Sequence, residues 1–309
     1  MFRSVRFFRL SSAWPESDQA LSQLLSSAEF KPCSAWSEAS SGWESPAGDA
    51  DPSLSRRVDG ADLLRLRTQA RLLPRAAIED ALEVRINEYR ERAGEEPTRR
   101  AKRKLREQTR DELLPKAFVR SQRTSGFVIP SERIIAIDTL SDSRAEHFLE
   151  RLRAPLGELD VAPLAFGRPV GELLMRIFLG DAAGQFAPGG ECRMCDPADT
   201  RATIRCVDID LADANVRNHV REGMRLTHLG IEFNGVLSCT LDENGGIGKL
   251  RLVGMDSKED FPDEDPLARL DAEFALLTGT MRQLLAALEK ALGGYAGMAL
   301  PEPLAAATG

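Results

Sequence analysis

The sequence predicts an α+β protein with an inserted helical segment, on three observations. Short stretches of alternating apolar and polar residues occur near the N-terminus and again between residues 203 and 253. A strongly polar stretch at 74–114 has helical spacing and lies between strand-like segments. One long apolar repeat, stepping by three or four, fills residues 266–292.

Residues 2–10 place Phe2, Val5, Phe7 and Leu10 among arginines and read as a strand. Leu21, Leu24, Leu25 and Phe30 give a helix over 17–30. Residues 31–60 are rich in Ser, Pro, Gly and Asp and read as a loop region holding Trp36 and Trp43. A strand follows at 63–68. Pro74 suits a helix start, and Ile78, Leu82, Ile86 and Tyr89 carry that helix to about Arg92, near Gly94. A second helix runs from about Thr98 to Leu113. Residues 126–129 and 134–138 form a hairpin around Pro130 and Ser131, and 143–153 a short helix.

A boundary is expected within 157–171. Beyond it, 170–179 reads as mixed and 182–190 as a loop. Strands are expected at 203–207, 226–233, 236–241 and 250–253, with Asn234-Gly235 as a two-residue hairpin turn. A helix is expected at 213–222. The helix at 266–292 stops at Gly293-Gly294, and the tail to Gly309 reads as loose.

The chain has 309 residues, 42% of them apolar and 29% charged, an ordinary balance for a globular protein of two or three domains. No apolar run approaches the roughly 20 residues that span a bilayer, and the first ten residues are too rich in Arg for a signal peptide. A cytoplasmic protein is expected. Five cysteines do not suggest a disulfide framework.

The net charge of −7 hides a strong asymmetry. Between Arg99 and Arg123 stand Arg99, Arg100, Lys102, Arg103, Lys104, Arg106, Arg110, Lys116, Arg120 and Arg123, opposed only by Glu107, Asp111 and Glu112. This segment is +7 and the remainder −14. Lys102, Arg106 and Arg110 are spaced by four and share one helix face, which Arg99, Arg103 and Lys104 broaden. Several cations on one face suit phosphate contact without base readout. A solvated surface with no partner is the alternative.

Other motifs carry less. Cys192-x-x-Cys195 has the spacing of zinc or redox sites, with Cys206 and Cys239 as possible further ligands, but buried thiols are the expectation. Asp208, Asp210 and Asp213 could hold Mg²⁺ in a nuclease, but a strand end and a helix cap are favoured. His147, His219 and His228 are scattered, and His147 reads as a surface or packing residue. No catalytic residue, cofactor or metal is expected.

Several segments taken together resemble the bacterial recombination-associated RdgC family. They are the opening FRSVRFFRL, Phe30 to Cys33, Gly42-Trp43, Leu72 to Pro74, the LLPKAF stretch ending at Phe118, and Asp138 with its following helix. Gly190-Glu191-Cys192 leading to Asp196-Pro197, and DAEFALLTGT from Asp271 with residues 284–294, complete the series. The resemblance is co-linear from residue 1 to about 295.

The resemblance implies a multi-domain, horseshoe-shaped α+β subunit with an inserted helical tip, paired into a ring-shaped homodimer. It places a central domain at 1–73 and 124–165, a tip at 74–123, a base at 166–298 and a loose tail at 299–309. It implies a non-enzymatic, nucleoid-associated protein that encircles double-stranded DNA with little sequence preference. Such a protein would restrain RecA-driven recombination, through the DNA, or aid replication-fork repair. The DNA-contacting residues expected are Arg99, Lys102, Arg103, Arg106, Arg110, Lys116, Arg120 and Arg205, with Phe118 as a dimer contact at the tip. A core Phe is the alternative for Phe118. After the Asp196-Pro197 turn, where the family pattern has basic and amide residues, only Arg205 is basic, and Arg221 and Arg225 are candidates to compensate. Rival readings are a protein-interaction modulator with weak DNA binding and, less favoured, a metal-dependent nuclease.

Overall fold

The computed structural model describes residues 2–181, 184–253 and 265–296. Two antiparallel sheets and seven α-helices make up the described chain. The seven-stranded sheet contains β1 (Arg6–Leu10), β2 (Ala39–Glu44), β3 (Ser55–Val58), β4 (Ala61–Leu72), β5 (Phe118–Ile129), β6 (Ile134–Ile137) and β7 (Val161–Pro163). Its order is β2-β4-β5-β6-β1-β7, with β3 also paired to β4. The five-stranded sheet has the order β12-β11-β10-β8-β9, from β8 (Phe186–Cys195), β9 (Thr203–Val207), β10 (Arg225–Phe233), β11 (Leu237–Asp242) and β12 (Ile247–Leu252).

The centre of the first sheet is apolar on both faces, so successive side chains enter different cores. Phe127, Ile129, Ile134, Ala136 and Phe7 join one cluster; Val128, Ile135, Ile137, Phe8 and Leu10 join the other. The second cluster is covered by α1 (Asp18–Ser26) and α4 (Asp142–Leu156). The first also contains the second sheet, α5 (Val170–Leu179) and α7 (Pro266–Leu292). Phe127 meets Phe274 of α7 edge-on at 6.0 Å. An isolated bridge, Val5 to Ile247, ties the sheets together. Arg56 on β3 pairs with Asp271 on α7, adding a charged clamp at the same junction.

Most elements follow their local signals. Asp265 caps α7 by accepting from the Leu267 N–H, and Gly293 ends it with φ +78°. Asn234 and Gly235 both adopt positive φ between β10 and β11, as their hairpin requires. Asp213 caps α6 (Ala214–Arg221).

Four expectations are corrected. Residues 31–60 are not simply a loop: β2 and β3 lie there. The sequence of β2, ASSGWE, shows little apolar alternation; six paired positions on β4 make it a strand. Residues 118–125, read without structure, form the first two-thirds of β5, again through pairing with β4. Residues 170–179 are a helix, α5, with Val170, Leu173, Leu174, Ile177 and Phe178 buried. Within the expected loop at 182–190, Phe186 to Gly190 belong to β8; Pro188 and two glycines hide that strand, which pairs with β10 through an irregular register. The tail expected at 299–309 lies outside the described residues.

Gly42 shows how tightly β2 is held. Trp43 donates its backbone N–H to the Ala28 carbonyl at 2.9 Å and accepts from the Phe30 N–H at 2.8 Å. A Cβ on Gly42 would lie 2.6 Å from the Phe30 backbone. Trp43 itself is fully buried and packs edge-on against Phe148 at 5.1 Å. Replacing Gly42 by Ala should therefore cost about 1–3 kcal/mol through overpacking. A urea titration should show a lower midpoint with an unchanged slope.

Candidate nucleic-acid interface

The basic segment lies on a helical pair that leaves the first sheet between β4 and β5. The pair is α2 (Arg75–Ala93) and α3 (Arg99–Leu113). Pro74 precedes α2 and Gly94, at φ +72°, ends it. Thr98 caps α3 by accepting from the Ala101 N–H at 3.3 Å. No residue of α2 is buried, and α3 buries only Thr109. The pair is thus a thin projection held by partial burial and ion pairs. Arg71, near the end of β4, fastens its root: the guanidinium donates to the carbonyls of Ser34, Leu114, Pro115 and Ala117 at 3.0–3.3 Å.

The cations of α3 divide into two groups. Lys102 pairs with Glu96 at 3.7 Å, Arg106 with Glu79 at 3.5 Å, and Arg110 with Glu38. Arg103 pairs with Glu107 at 3.1 Å along its own helix. The Arg75 side chain, helped by Arg106, holds the Glu79 carboxyl below its usual range. The Lys102, Arg106 and Arg110 face is therefore offset by acids from α2, the α2–α3 turn and the loop before β2. These acids are distant in sequence or outside the basic run, so the run alone gave no sign of them.

The other group consists of Arg99, Arg100 and Lys104, exposed and without an ion-pair partner among the described residues. Arg100 and Lys104 are one turn apart and about half a turn around the helix from Lys102 and Arg106. Lys116, in the turn after α3, and Arg120, on β5, are likewise exposed and unpaired among the described residues.

β5 follows the helical pair in the chain. Its inner end, Gly126 to Ile129, pairs with β6, but residues 118–124 have only β4 as a strand neighbour. Arg123 lies directly across from Arg67, and Glu44 accepts from both guanidiniums. Arg67 also stacks over the Phe30 ring at 4.5 Å. Burial, reinforced by the Arg123 charge, shifts Arg65 below its usual pKa. Phe118 opens the strand opposite Leu72 and is 85% exposed; Val119 and Leu72 are exposed beside it. Phe118 is not a core residue, so that alternative is excluded.

Arg205 lies elsewhere, on β9 at the edge of the five-stranded sheet, with Arg193 of β8 directly opposite. Like charges facing each other across a strand pair are destabilising unless something lies between or over them. Together with Glu191, Thr203, His228, Thr240 and Lys249 they line a cavity of about 390 Å³. Glu191 stays below the usual carboxyl range: burial opposes this, but bonds from Lys249 and Thr240 outweigh it. Sequence reading missed Arg193 because only the strand register reveals its pairing with Arg205. Arg225, a suggested replacement, is instead engaged by Glu243 at 3.4 Å, and Arg221 donates to the Asn218 side chain at 3.1 Å.

The acidic cluster has structural employment. Asp210 accepts from the Ala212 N–H at 2.8 Å, and Asp213 from the Asn215 N–H at 2.7 Å. Among the described residues, no group of three or more His, Cys, Asp or Glu side chains is placed to hold a metal. Nor is any described helix long and apolar enough to cross a membrane. His147 meets the Ser41 hydroxyl at 3.0 Å, and burial lowers its pKa.

Comparison with known proteins agrees over nearly the whole chain. A family model described as "Putative exonuclease, RdgC" matches residues 1–295. A recombination-associated protein RdgC from Tolumonas auensis is 30% identical over 297 residues, covering 95% of this chain and 98% of that one. One from Pseudomonas paraeruginosa is 31% identical over 301 residues, covering 95% and 97%. One from Pseudomonas aeruginosa is 30% identical with the same coverage. With its resemblance to that family running co-linearly through the same residues, the chain belongs to the RdgC family of recombination-associated proteins.

Proposed function

We propose that the protein binds double-stranded DNA without base-specific readout and acts by occupying it, with no catalytic step. One observation carries this reading. Arg99, Arg100, Lys104, Lys116 and Arg120 form an exposed run of cations that the described fold leaves without acidic partners. Other exposed cations without an ion-pair partner among the described residues, such as Lys31, Arg144, Arg176 and Lys290, are scattered along the chain, whereas these five all fall between Arg99 and Arg120. A run kept unpaired invites a polyanion, and a backbone of phosphates gains from releasing its counterions there. No element presents a recognisable base-reading motif, so the contact is to phosphate.

The bland account is that these charges guard the open edge of β5 against sheet-to-sheet aggregation. Salt separates the two. Measured on unrelated duplexes, the logarithm of the affinity should fall with the logarithm of salt by about 0.9 for each phosphate contacted. A flat response, or strong preference for one sequence, would refute the reading. It would leave a protein-interaction modulator as the better description. Mg²⁺-dependent shortening of the duplex in the same samples would instead mark a nuclease.

The resemblance extends the proposal to quaternary structure. The subunit is a horseshoe whose tip is the α2–α3 pair, and two subunits close into a ring around DNA. The exposed Phe118, Val119 and Leu72 at the root of the pair support a self-contact there. A closed ring would keep hold of DNA by topology, while cations facing the hole lower the cost of confining phosphates. Duplex covered in this way is closed to RecA filaments and strand exchange. RecA is thereby restrained through the DNA, without direct contact, and the protein resides on the nucleoid.

A further inference from the structure

Cys192 on β8 and Cys206 on β9 are direct cross-strand partners. Opposed residues of an antiparallel pair have Cα atoms about 4.5–5.5 Å apart. A disulfide accepts roughly 4.4–6.8 Å. Cys192 is buried in the core cluster and Cys206 packs against the same cluster, partly exposed. The two thiols are near enough that Cys206 helps to raise the Cys192 pKa. The remaining cysteines lack this arrangement. Cys195 faces Thr203, Cys239 faces Ile231, and Cys33 donates to the Ser37 carbonyl at 2.9 Å beside the other sheet.

We propose that Cys192 and Cys206 form a reversible oxidation site, closed to a disulfide by a hydroperoxide and reopened by a thiol reductant. Cys206, the more exposed of the two, meets the oxidant first. Its deprotonated sulfur attacks the peroxide O–O bond and becomes a sulfenic acid, and the departing oxygen takes a proton to leave as water or an alcohol. The Cys192 sulfur then attacks the sulfenic sulfur. The S–S bond forms, the S–O bond breaks, and the Cys192 proton leaves with the hydroxyl as water. Two thiols are oxidised by two electrons in all, and one hydroperoxide is reduced.

Burial and the neighbouring Cys206 push the Cys192 thiol up to about 12. Cys192 therefore waits protonated for the second step, and closure is slower than in sensors that keep an exposed thiolate. β9 is an edge strand, bonded to the sheet on one side only. A covalent tie to β8 stops it from fraying, and it fixes Arg205 opposite Arg193.

The test uses the full chain, folded, treated with hydrogen peroxide, alkylated and digested. The expected product has lost about 2 Da, with a single cross-linked peptide pair containing residues 192 and 206, and dithiothreitol restores the original mass. Free thiols fall from five to three. Amide exchange in β9 slows by at least about tenfold in the oxidised form. Cys192→Ser should stop at a sulfenic acid on Cys206, trapped by dimedone, and Cys206→Ser should leave Cys192 reduced. The wild-type map decides the matter even if a variant folds poorly. Five thiols surviving in folded protein, or a cross-link between other cysteines, overturns the proposal.

Discussion

Replacing Arg100, Lys104, Lys116 and Arg120 together by Gln should weaken duplex binding roughly a thousandfold at 0.15 M salt, if each contacts one phosphate. All four side chains are exposed and unpaired among the described residues, so folding should be nearly unaffected. Four lost contacts should also reduce the salt slope by about 3.6. The companion variant, Lys102, Arg106 and Arg110 to Gln, should behave differently. Those three pair with Glu96, Glu79 and Glu38, and the change leaves Glu38 without a cation, while Glu79 keeps Arg75 and Glu96 keeps Arg90. Binding should fall less per residue, because each cation already spends part of its field on an acid. The helical pair should also become less stable, by about 0.2–1 kcal/mol for each exposed pair lost. Filter or fluorescence titrations across salt, beside thermal unfolding, distinguish the two variants. Equal loss of slope per residue in both would mean that the ion pairs open on binding. Unchanged binding in the first variant would remove this segment as the DNA surface and shift attention to Arg193 and Arg205.

If the chain pairs as proposed, Phe118→Ala should raise the dimer dissociation constant by a factor between about thirty and a thousand. A buried aromatic anchor is worth about 2 kcal/mol or more at an interface. In a two-fold contact the change is made on both subunits, so the loss can count twice. Folding should hardly change, since the ring is 85% exposed in the subunit. Sedimentation over a concentration series gives the dissociation constant, and retention on circular against linear duplex shows whether closure matters. A ring that holds DNA by topology should lose its preference for circular DNA when this contact opens. A variant that dimerises like the wild type would remove Phe118 from the interface, leaving the free edge of β5 to explain any self-association.

Much of the fold was legible in the sequence, because its signals are local. The 266–292 repeat gave α7 with both ends, since an apolar face and a terminal Gly are short-range features. Asn234-Gly235 and the helices on either side of Gly94 were readable for the same reason. The family could be recognised from motifs spread co-linearly over the chain. The concentration of positive charge between Arg99 and Arg123 was likewise plain without coordinates, because charge density along a helix depends only on sequence.

Which of those charges remain available is a question that only tertiary structure decided. Lys102, Arg106 and Arg110 look like the natural phosphate face by spacing, yet α2, the α2–α3 turn and the Glu38 loop meet that face with acids. Spacing within one helix says which residues share a side; it cannot say what lies opposite. The same limit hid β2, the stretch ASSGWE with Trp43 as its one large apolar residue, whose six partners on β4 make it extended. It hid Arg193 beside Arg205 and Cys192 beside Cys206, for these pairs exist only through the register of β8 on β9. Sequence fixes each residue's chemistry and its neighbours a turn away. Contacts between strands far apart in the chain are set by how both faces of a sheet find their cores, and there the fold alone has the information.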